Sequence, residues 1–265
     1  MSSVLDGCTA LITGASAGIG REFARQLAPR VGGLVLVARR LERLEVLHDE
    51  IQARQPALKI LLRVVDLSDP SQVDALCEWL RSEKIEIDVL INNAGLGDMG
   101  PFATGSEARL NEMIFVNIVA LTKLTYRLLP PMVARRKGVI LNVSSSAAYV
   151  PIPGFAVYAA SKAYVNSFSE ALRAELRGTG VRVTALCPGP VATEFSDVAR
   201  RPRLKARQGP AFVFVPVEEV VREAIEGVET DTPVVIPGVI MKIVMALARL
   251  TPMPLLRFAS RFYER

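Results

Sequence analysis

Near its start the chain reads Thr9-Ala-Leu-Ile-Thr-Gly-Ala-Ser-Ala-Gly-Ile-Gly20, a short apolar run followed by glycines at positions 14, 18 and 20. The run predicts a β-strand, and the helical spacing from Gly18 to Pro29 predicts an α-helix directly after it. Glycines in such a turn let the backbone approach a ligand, and the N–H groups at the helix N-terminus favour a pyrophosphate. The spacing Gly-x-x-x-Gly-x-Gly differs from the commoner dinucleotide fingerprint, so a plain glycine-rich turn is the alternative.

The same alternation of strand and helix continues through most of the chain. Continuous apolar runs are typical of a parallel sheet that is covered on both faces. The pattern therefore predicts an α/β fold, a doubly wound Rossmann-type parallel sheet with helices on both faces, in a single domain over residues 1–265. We expect Pro130-Pro131 to kink the long helix that ends near Arg136. The other predicted strands cover 34–38, 60–65, 87–91, 139–143, 181–187 and 233–236, with further helices at 73–81, 157–177 and 216–228.

Composition excludes several classes of protein. Of the 265 residues half are hydrophobic and 22% are charged, which is typical of a globular domain. The net charge of +5 is modest, and no aromatic platform is interleaved with a basic stripe, so we expect no nucleic-acid partner. The first residues lack a basic segment followed by an apolar stretch, so the expected location is cytoplasmic. Cys8, Cys77 and Cys187 lie far apart among apolar residues, which predicts buried packing residues and no metal site.

A tyrosine and a lysine four residues apart are the candidates for proton transfer. Tyr158 and Lys162 would project from one face of a helix. A fixed cation nearby favours the phenolate, which would lower the tyrosine pKa from ~10 and suit it to acid–base chemistry. The alternative for an isolated pair is a solvated helix face. The one histidine, His48, lies near the polar side of an amphipathic helix and has no serine nucleophile elbow beside it, which disfavours a Ser-His-Asp hydrolase.

The residues after the second predicted strand bear on cofactor choice. A protein that prefers NAD usually carries an acidic residue there, which holds the ribose hydroxyls. Here the sequence reads Ala38-Arg39-Arg40. Without the carboxylate nothing repels a 2′-phosphate, and the planar fork of Arg39 can bind it. The sequence therefore predicts NADP(H), while Arg40 also suits the solvated first turn of the next helix.

Several motifs together resemble the classical short-chain dehydrogenase/reductase (SDR) family. Beside the glycine-rich turn they are Asn92-Asn-Ala-Gly95, Ser145, Tyr158-x-x-x-Lys162, and Pro188-Gly189 with Thr193. The resemblance covers about residues 5 to 193 closely and the remainder loosely. It implies an NADP-dependent oxidoreductase, and a homodimer or homotetramer joined through the helices that contain Asn117 and Tyr158.

The resemblance also implies a role for each matched residue. Tyr158 would be the general acid or base, and Ser145 would donate a hydrogen bond to the substrate oxygen. Lys162 would hold the nicotinamide ribose and lower the pKa of Tyr158, and Asn117 would hold a helix kink and a water of a proton relay. The implied cofactor-binding set is Gly14, Ser16, Gly18, Ile19, Gly20, Arg39, Arg40, Asp66, Leu67, Asn93, Ala94, Gly95, Tyr158, Lys162, Pro188, Gly189, Val191 and Thr193.

Two of these assignments have structural alternatives. An aspartate such as Asp66 at a strand end is commonly a helix cap, although Asp69 before Pro70 fits that role better. Asn117 stands in an apolar helical segment, where an asparagine is more often a buried hydrogen-bonding residue.

The last quarter of the chain is predicted in less detail. We expect a lid or substrate loop at about 190–215, whose basic stretch Arg200 to Arg207 either attracts an anionic substrate or is a solvated surface. An apolar extension follows at about 238–265. Its arginines recur every four residues opposite leucines and phenylalanines, which fits peripheral contact with a membrane surface. Packing against the parent domain or a second subunit fits equally well.

The sequence thus predicts an NADP(H)-dependent carbonyl reductase or alcohol dehydrogenase. Its substrate would be a small-molecule carbonyl or alcohol, namely a hydrophobic ketone, aldehyde or 3-oxoacyl compound. The alternative is a non-catalytic NADP-binding sensor or scaffold of the same fold. It is disfavoured because all four expected catalytic residue types are present.

Overall fold

One parallel sheet organises the part of the chain that the computed structural model describes, residues 3–201, 214–252 and 254–255. Seven strands lie in the order β3-β2-β1-β4-β5-β6-β7, and every neighbouring pair is parallel. The predicted doubly wound α/β sheet is confirmed. The strands are β1 (Thr9–Thr13), β2 (Gly33–Ala38), β3 (Lys59–Val64), β4 (Val89–Asn92), β5 (Gly138–Val143), β6 (Val181–Leu186) and β7 (Val234–Val235).

Helices connect the strands and cover both faces of the sheet. Short 3-10 turns cover Phe102–Thr104 and Ser146–Tyr149. The α-helices are α1 (Gly18–Leu27), α2 (Leu41–Arg54), α3 (Pro70–Ser82), α4 (Glu107–Ile114), α5 (Leu121–Ala134), α6 (Ala156–Glu175), α7 (Phe195–Ala199), α8 (Val217–Glu229) and α9 (Val239–Leu250).

The two large clusters of the hydrophobic core lie on opposite faces of the sheet, and a small third cluster contains Tyr158. On one face, Ile12 of β1 belongs to the cluster that contains Phe23 of α1 and Val221 of α8. On the other face, Leu11 belongs to the cluster that contains Leu124 of α5. Successive side chains of a strand point to opposite faces, so a strand buried on both sides must be apolar throughout. This explains why the sequence shows runs instead of alternation.

The long helix between β4 and β5 differs from the prediction. Phe115–Ala120 is a π-helical turn that separates α4 from α5. Pro130 and Pro131 lie inside α5, which continues to Ala134. A π turn widens the helix by one residue and is common at functional sites. The hydrogen-bonding pattern therefore changes at Asn117, inside the π turn, as well as at the two prolines, which have no N–H to donate.

Buried amides join the two central strands β4 and β5. Asn92 and Asn142 are register partners, and Asn92 Nδ2 donates to Asn142 Oδ1 at 2.9 Å and to Thr125 Oγ1 at 3.0 Å. Asn142 Nδ2 in turn donates to Ser169 Oγ of α6 at 2.9 Å. Asn92 therefore braces the sheet.

Helix Glu107–Ala134, which comprises α4, the π turn and α5, is long and apolar enough to cross a membrane by length and composition. Its buried residues Leu124, Leu128 and Met132 pack against the sheet. In this fold the helix is a core element.

Some predicted segments lie partly outside the described residues. Residues 202–213 of the predicted loop at 190–215, which include most of the basic stretch, lie outside the described residues. Residues 253 and 256–265 of the C-terminal extension lie outside them as well. Of the three cysteines, Cys8 and Cys187 are buried as expected, and Cys77 is half-buried.

Candidate active site

The glycine-rich turn lies between the carboxyl end of β1 and the start of α1. A Cβ on Gly14 would lie 2.8 Å from Asn93 Nδ2, and one on Gly20 would lie 2.4 Å from the same atom and from the Gly14 carbonyl oxygen. Gly14 and Gly18 adopt φ of 67° and 51°, which favours glycine. The turn therefore has no room for side chains where the sequence places glycines.

Thr13 and Asn93 tie the turn to the end of β4. The Thr13 hydroxyl oxygen accepts from the N–H groups of Asn93 and Ala94, both at 3.0 Å. Asn93 Nδ2 donates to the Thr13 carbonyl oxygen at 2.8 Å. β1 and β4 are neighbours where the strand order reverses, and ligands bind at such a switch point in doubly wound sheets. The predicted cofactor residues Gly14, Asn93 and Ala94 thus meet there.

Tyr158 lies in the first turn of α6, beside two aromatic rings. The ring centroid of Phe155 is 4.8 Å away, and that of Phe195, from α7, is 5.4 Å away. Tyr158 is 7% exposed. The candidate proton donor therefore has an apolar wall, part of which comes from the segment after β6.

Lys162 and Asn117 both lie beside Gly95. A Cβ on Gly95 would be 3.2 Å from Lys162 Nζ and 3.5 Å from Asn117 Oδ1. Lys162 Nζ donates to the Val143 carbonyl oxygen at 2.8 Å. Asn117 accepts from the Leu96 N–H at 2.8 Å and donates to the Leu96 carbonyl oxygen at 2.9 Å. Asn117 thus holds the loop after β4 against the helix, which is the buried hydrogen-bonding role expected of it.

Ser145 stands directly after β5 and caps the 3-10 turn at Ser146–Tyr149. Its hydroxyl oxygen accepts from the Ala147 N–H at 3.1 Å. The Ser145 hydroxyl also acts on Tyr158, since it opposes the rise in the pKa of that phenol. The four predicted catalytic residues are therefore brought together at the carboxyl edge of the sheet, by β5, the π turn and α6.

The expected effect of Lys162 on Tyr158 is not found in the protein alone. Burial raises the pKa of Tyr158 to about 12, and Ser145 opposes this rise. Burial also lowers the pKa of Lys162 to about 8. Lys162 Nζ lies 5.8 Å from the centre of the Tyr158 ring and donates to a backbone oxygen instead. Desolvation of the phenolate therefore outweighs attraction by the ammonium, and the prediction of a lowered tyrosine pKa was wrong for this state.

Arg39 and Arg40 lie beside the turn, as the sequence predicts, but each contacts an acidic side chain. Arg39 is half exposed and donates to Glu112 Oε1 at 2.8 Å, with Asp66 Oδ2 at 3.9 Å. Arg40 donates to Ser16 Oγ at 3.3 Å. Because Ser16 belongs to the glycine-rich turn, Arg40 is as well placed as Arg39 to reach a ligand phosphate.

Glu194 links the arginines to the segment after β6. It accepts from Arg43 at 2.6 Å and from Arg40 at 3.3 Å. The preceding residue, Thr193, lies against the turn, since a Cβ on Gly18 would be 3.2 Å from the Thr193 methyl group. The predicted pair Gly18 and Thr193 is thus adjacent in space.

The other predicted cofactor residues are spread around this edge of the sheet. Asp66 accepts from the Ser68 N–H at 2.9 Å, while Asp69 caps α3 by accepting from the Ser71 N–H, as expected. Leu67 and Val191 are buried in the core clusters, and Ile19 packs against one of them. Gly189, after Pro188, faces Met241 of α9, because a Cβ there would lie 2.9 Å from the Met241 side chain. The side chains of Leu67 and Val191 are therefore engaged in packing.

Sequence reasoning assigned no role to Phe155, Glu194 or Phe195, although each contacts a predicted site residue. The three have no local motif of their own. An aromatic residue two positions after Thr193 was the one signal that could have pointed to Phe195.

Comparison with known proteins agrees with this arrangement. A family model described as short chain dehydrogenase matches residues 8–203. The chain belongs to the short-chain dehydrogenase/reductase family. A sulfoacetaldehyde reductase of Chromohalobacter salexigens is 44% identical over 190 residues, 71% of this chain and 74% of that protein. A very-long-chain 3-oxoacyl-CoA reductase of Anas platyrhynchos is 34% identical over 242 residues, 89% and 74% of the two chains.

A solved SDR structure shares the fold over nearly the whole chain. It is a short-chain dehydrogenase from Sphingobium yanoikuyae in complex with NADPH, 32% identical, with a TM-score of 0.80 and 91% of each chain covered. This protein is accordingly an NAD(P)-dependent SDR enzyme, and the predicted family is confirmed.

The turn of this SDR fits the nicotinamide dinucleotide that the family uses. Gly14, Gly18 and Gly20 leave the turn without side chains, and Ala17 supplies no side-chain cap to α1. The N–H groups at that helix end therefore suit the pyrophosphate. When bound, the nicotinamide donates or accepts the hydride.

Lys162 predicts a pH dependence of stability in this SDR. The unfolded chain holds the lysine proton up to the ordinary pKa of 10.5, and the folded chain only up to about 8. Below pH 8 both states are charged, so the cost of burying the ammonium is fully present. Between these values the unfolded state binds more protons, so the free energy of unfolding should rise with pH.

Denaturant unfolding of the cofactor-free protein from about pH 7 to about pH 9.5 tests this prediction. The wild-type stability should rise relative to that of Lys162→Met, which lacks the titrating group. Parallel curves for the two proteins would contradict the lowered lysine pKa.

Proposed function

We propose that this SDR enzyme is an NADPH-dependent reductase of hydrophobic carbonyl compounds, reversible in principle. The carrying observation is Tyr158, a hydroxyl donor buried beside the rings of Phe155 and Phe195, whose pKa responds to Ser145. An apolar wall beside a proton donor favours a ketone, an aldehyde or a 3-oxoacyl group with a bulky apolar substituent.

In this proposal Tyr158 delivers a proton and the neighbouring residues prepare it. With its pKa raised to about 12, Tyr158 holds its proton at neutral pH and donates it to the carbonyl oxygen as the carbonyl carbon is reduced. Ser145 donates a hydrogen bond to the same oxygen as charge develops there. Lys162 adds a positive charge in a dry site, and Asn117 holds the backbone at Leu96 in place. The products are the alcohol and the oxidised cofactor.

A substrate screen tests the proposed reaction. Sulfoacetaldehyde, propiophenone and acetoacetyl-CoA would each be incubated with NADPH and the enzyme, and the loss of NADPH absorbance followed. We expect propiophenone or the oxoacyl thioester to be reduced. Tight NADPH binding with no oxidation across the panel would instead favour the non-catalytic sensor or scaffold.

We also propose NADP(H) as the preferred form of the cofactor. Arg39 and Arg40 directly follow β2, at the position where an NAD-preferring protein usually carries an acidic residue, and Arg40 donates to Ser16 of the glycine-rich turn. Two guanidinium groups favour a 2′-phosphate by charge and by their planar donors. The NADPH complex of the related structure supports the same choice.

Arg39→Asp should shift cofactor preference toward NADH by about tenfold or more, since it removes a charged donor and adds a repelling carboxylate. Dissociation constants for NADPH and NADH from titration calorimetry measure the shift. Arg54→Asp makes the same change of charge at an exposed end of α2 and should leave the ratio unchanged. Equal weakening of both cofactors by Arg39→Asp would contradict the assignment.

Assembly as a homodimer or homotetramer is proposed on the helices that contain Asn117 and Tyr158. Apolar side chains on this surface are exposed, among them Phe115, Tyr126 and Tyr164. Light scattering of the wild type and of Tyr126→Glu tests whether this surface joins subunits. A monomeric wild type would contradict the proposal.

A cytoplasmic location with peripheral membrane contact through the C-terminal tail is proposed as well. On α9, Ile243, Leu247 and Leu250 are exposed, while Met241 and Met245 face the domain. Co-sedimentation with anionic liposomes, compared between the full chain and one that ends before Thr251, tests the contact. Equal recovery of both in the supernatant would contradict it.

The division into one domain over 1–265, with a loop at 190–215 and an extension at 238–265, also stays a proposal.

A further inference from the structure

Helix α7 rests in a groove that the loop after β4 leaves open. A Cβ on Gly97 would lie 2.8 Å from Cζ of Phe195 and 2.9 Å from Cβ of Ala199. The Met99 N–H donates to the Ala199 carbonyl oxygen at 2.7 Å. A side chain at position 97 would therefore push α7 away.

A buried ion pair fixes the end of α7 to the same loop. The side chain of Asp98 is 1% exposed and that of Arg201 is 19% exposed. Arg201 Nε donates to Oδ1 at 3.0 Å, and its Nη2 donates to Oδ2 at 2.5 Å. Arg109 Nε lies 3.6 Å from Oδ1. Two parallel bonds from a planar guanidinium fix direction as well as distance.

Arg201 also bonds to neutral groups of the loop. Its Nη1 donates to the Pro101 carbonyl oxygen at 2.9 Å and to Thr104 Oγ1 at 3.1 Å. A Cβ on Gly100 would lie 2.8 Å from that nitrogen. The surface of the loop therefore fits the guanidinium group closely. Loss of Asp98 or of Arg201 would leave the charge of the other residue poorly compensated.

The loop between β4 and α4 contacts the two segments that carry the aromatic rings beside Tyr158. Phe195 begins α7, and the Gly100 N–H donates to the carbonyl oxygen of Gly154, one residue before Phe155. Phe195 and Phe155 are the two rings beside Tyr158. Displacement of this loop would therefore move the surfaces that face a substrate, without touching the glycine-rich turn.

We propose that Asp98 and Arg201 are positioning residues that clamp α7 to the β4–α4 loop and hold Phe195 over Tyr158. The clamp sets the width of the substrate site for bulky apolar groups. This inference rests on the proposed carbonyl reduction for its kinetic consequence. The existence of the clamp does not depend on the proposed reaction, because amide exchange detects the clamp directly.

Hydrogen exchange of the NADPH-bound enzyme tests the clamp first. Asp98→Asn keeps the shape of the side chain and removes its charge. The amides of Met99 and Gly100, which bond to Ala199 and Gly154, should exchange about tenfold or more faster in this variant. Arg201→Gln should do the same, and its partly exposed site keeps the test available if Asp98→Asn does not fold.

The matched control removes a similar two-bond arginine–carboxylate ion pair elsewhere in the protein. Arg25 donates to Glu50 through Nε at 2.9 Å and Nη2 at 2.8 Å, between α1 and α2. Glu50→Gln should leave exchange at Met99 and Gly100 unchanged. Unchanged exchange at these amides in both Asp98→Asn and Arg201→Gln would overturn the proposal.

Steady-state kinetics distinguish a positioning role of Asp98 and Arg201 from a general loss of structure. For propiophenone, kcat/KM should fall by about 10- to 100-fold in Asp98→Asn, mainly through KM, whereas for propanal it should change by less than about threefold. The dissociation constant of NADPH should stay within about threefold. Arg201→Lys, which keeps the charge and loses the fork, should restore part of the loss seen in Arg201→Gln.

Equal losses for both carbonyls together with weaker NADPH binding would overturn the specific role. If the wild type reduces neither carbonyl compound, the proposed function fails, and the exchange result still decides whether the clamp exists.

Discussion

Tyr158→Phe is expected to lower kcat by about 10²–10⁴-fold while leaving NADPH binding within about threefold of the wild type. The substitution removes one hydroxyl and keeps the ring that packs between Phe155 and Phe195. Because burial holds the Tyr158 proton in place at neutral pH, this hydroxyl is the donor that a carbonyl oxygen beside it would meet. Single-turnover oxidation of NADPH with propiophenone measures the chemical step.

Tyr164→Phe is the matched control for that experiment. It removes a hydroxyl from the same helix, where Tyr164 hydrogen-bonds with Thr122 at 2.9 Å, away from the cleft. Its kcat should stay within about twofold of the wild type. Normal turnover in Tyr158→Phe would exclude Tyr158 as the proton donor.

Gly20→Ala is expected to weaken NADPH binding by about 100-fold or more, the second large effect. The new Cβ would lie 2.4 Å from the Gly14 carbonyl oxygen and from Asn93 Nδ2. One of these contacts is backbone, so the turn itself must shift, and donors aimed at a phosphate would lose their alignment. Titration calorimetry with NADPH, together with the thermal midpoint of the free protein, measures both consequences.

Gly33→Ala supplies the comparison for the second prediction. Its Cβ would meet the Lys59 carbonyl oxygen at 3.5 Å and Thr9 at 3.6 Å, which are ordinary contacts. NADPH affinity should be unchanged in this variant. Wild-type affinity in Gly20→Ala would show that the turn does not hold the pyrophosphate.

The sheet could be predicted from the sequence because its signal is local. The strands are mostly apolar and four to six residues long except β7, which has two, and the glycines of the first turn stand directly between a strand and a helix. α7 and α9 were not predicted as helices. α7 has five residues, and its position depends on contacts with the β4–α4 loop, which no residue pattern within Phe195–Ala199 announces.

The candidate site was predictable to the extent that its residues carry a spaced motif. Tyr158 and Lys162 lie on one helix, so their proximity follows from helix geometry. Asp98 and Arg201 lie 103 positions apart, and their pairing depends on how the fold brings two loops together. Long-range ion pairs of this kind leave no periodic signal.

The sign of the Tyr158 pKa shift could not be predicted from spacing either. The distance between two side chains suggests their charge interaction, but desolvation depends on everything that surrounds them. Tyr158 is buried beside two aromatic rings, so burial is the largest influence on its pKa. In the free protein the phenol therefore keeps its proton, which is the form that a proton donor needs.

The amide bridge between Asn92 and Asn142 has a consequence for how this enzyme can change. A slip of one residue between β4 and β5 would turn one of these amides to the opposite face and leave its partner unbonded. The bridge therefore keeps Gly95, which follows β4, level with Ser145, which follows β5. Phe155 and Phe195, which would face the substrate in the proposed reaction, lie outside these strands. Substrate range can accordingly vary through those loops while the alignment of the reacting groups is inherited from the sheet.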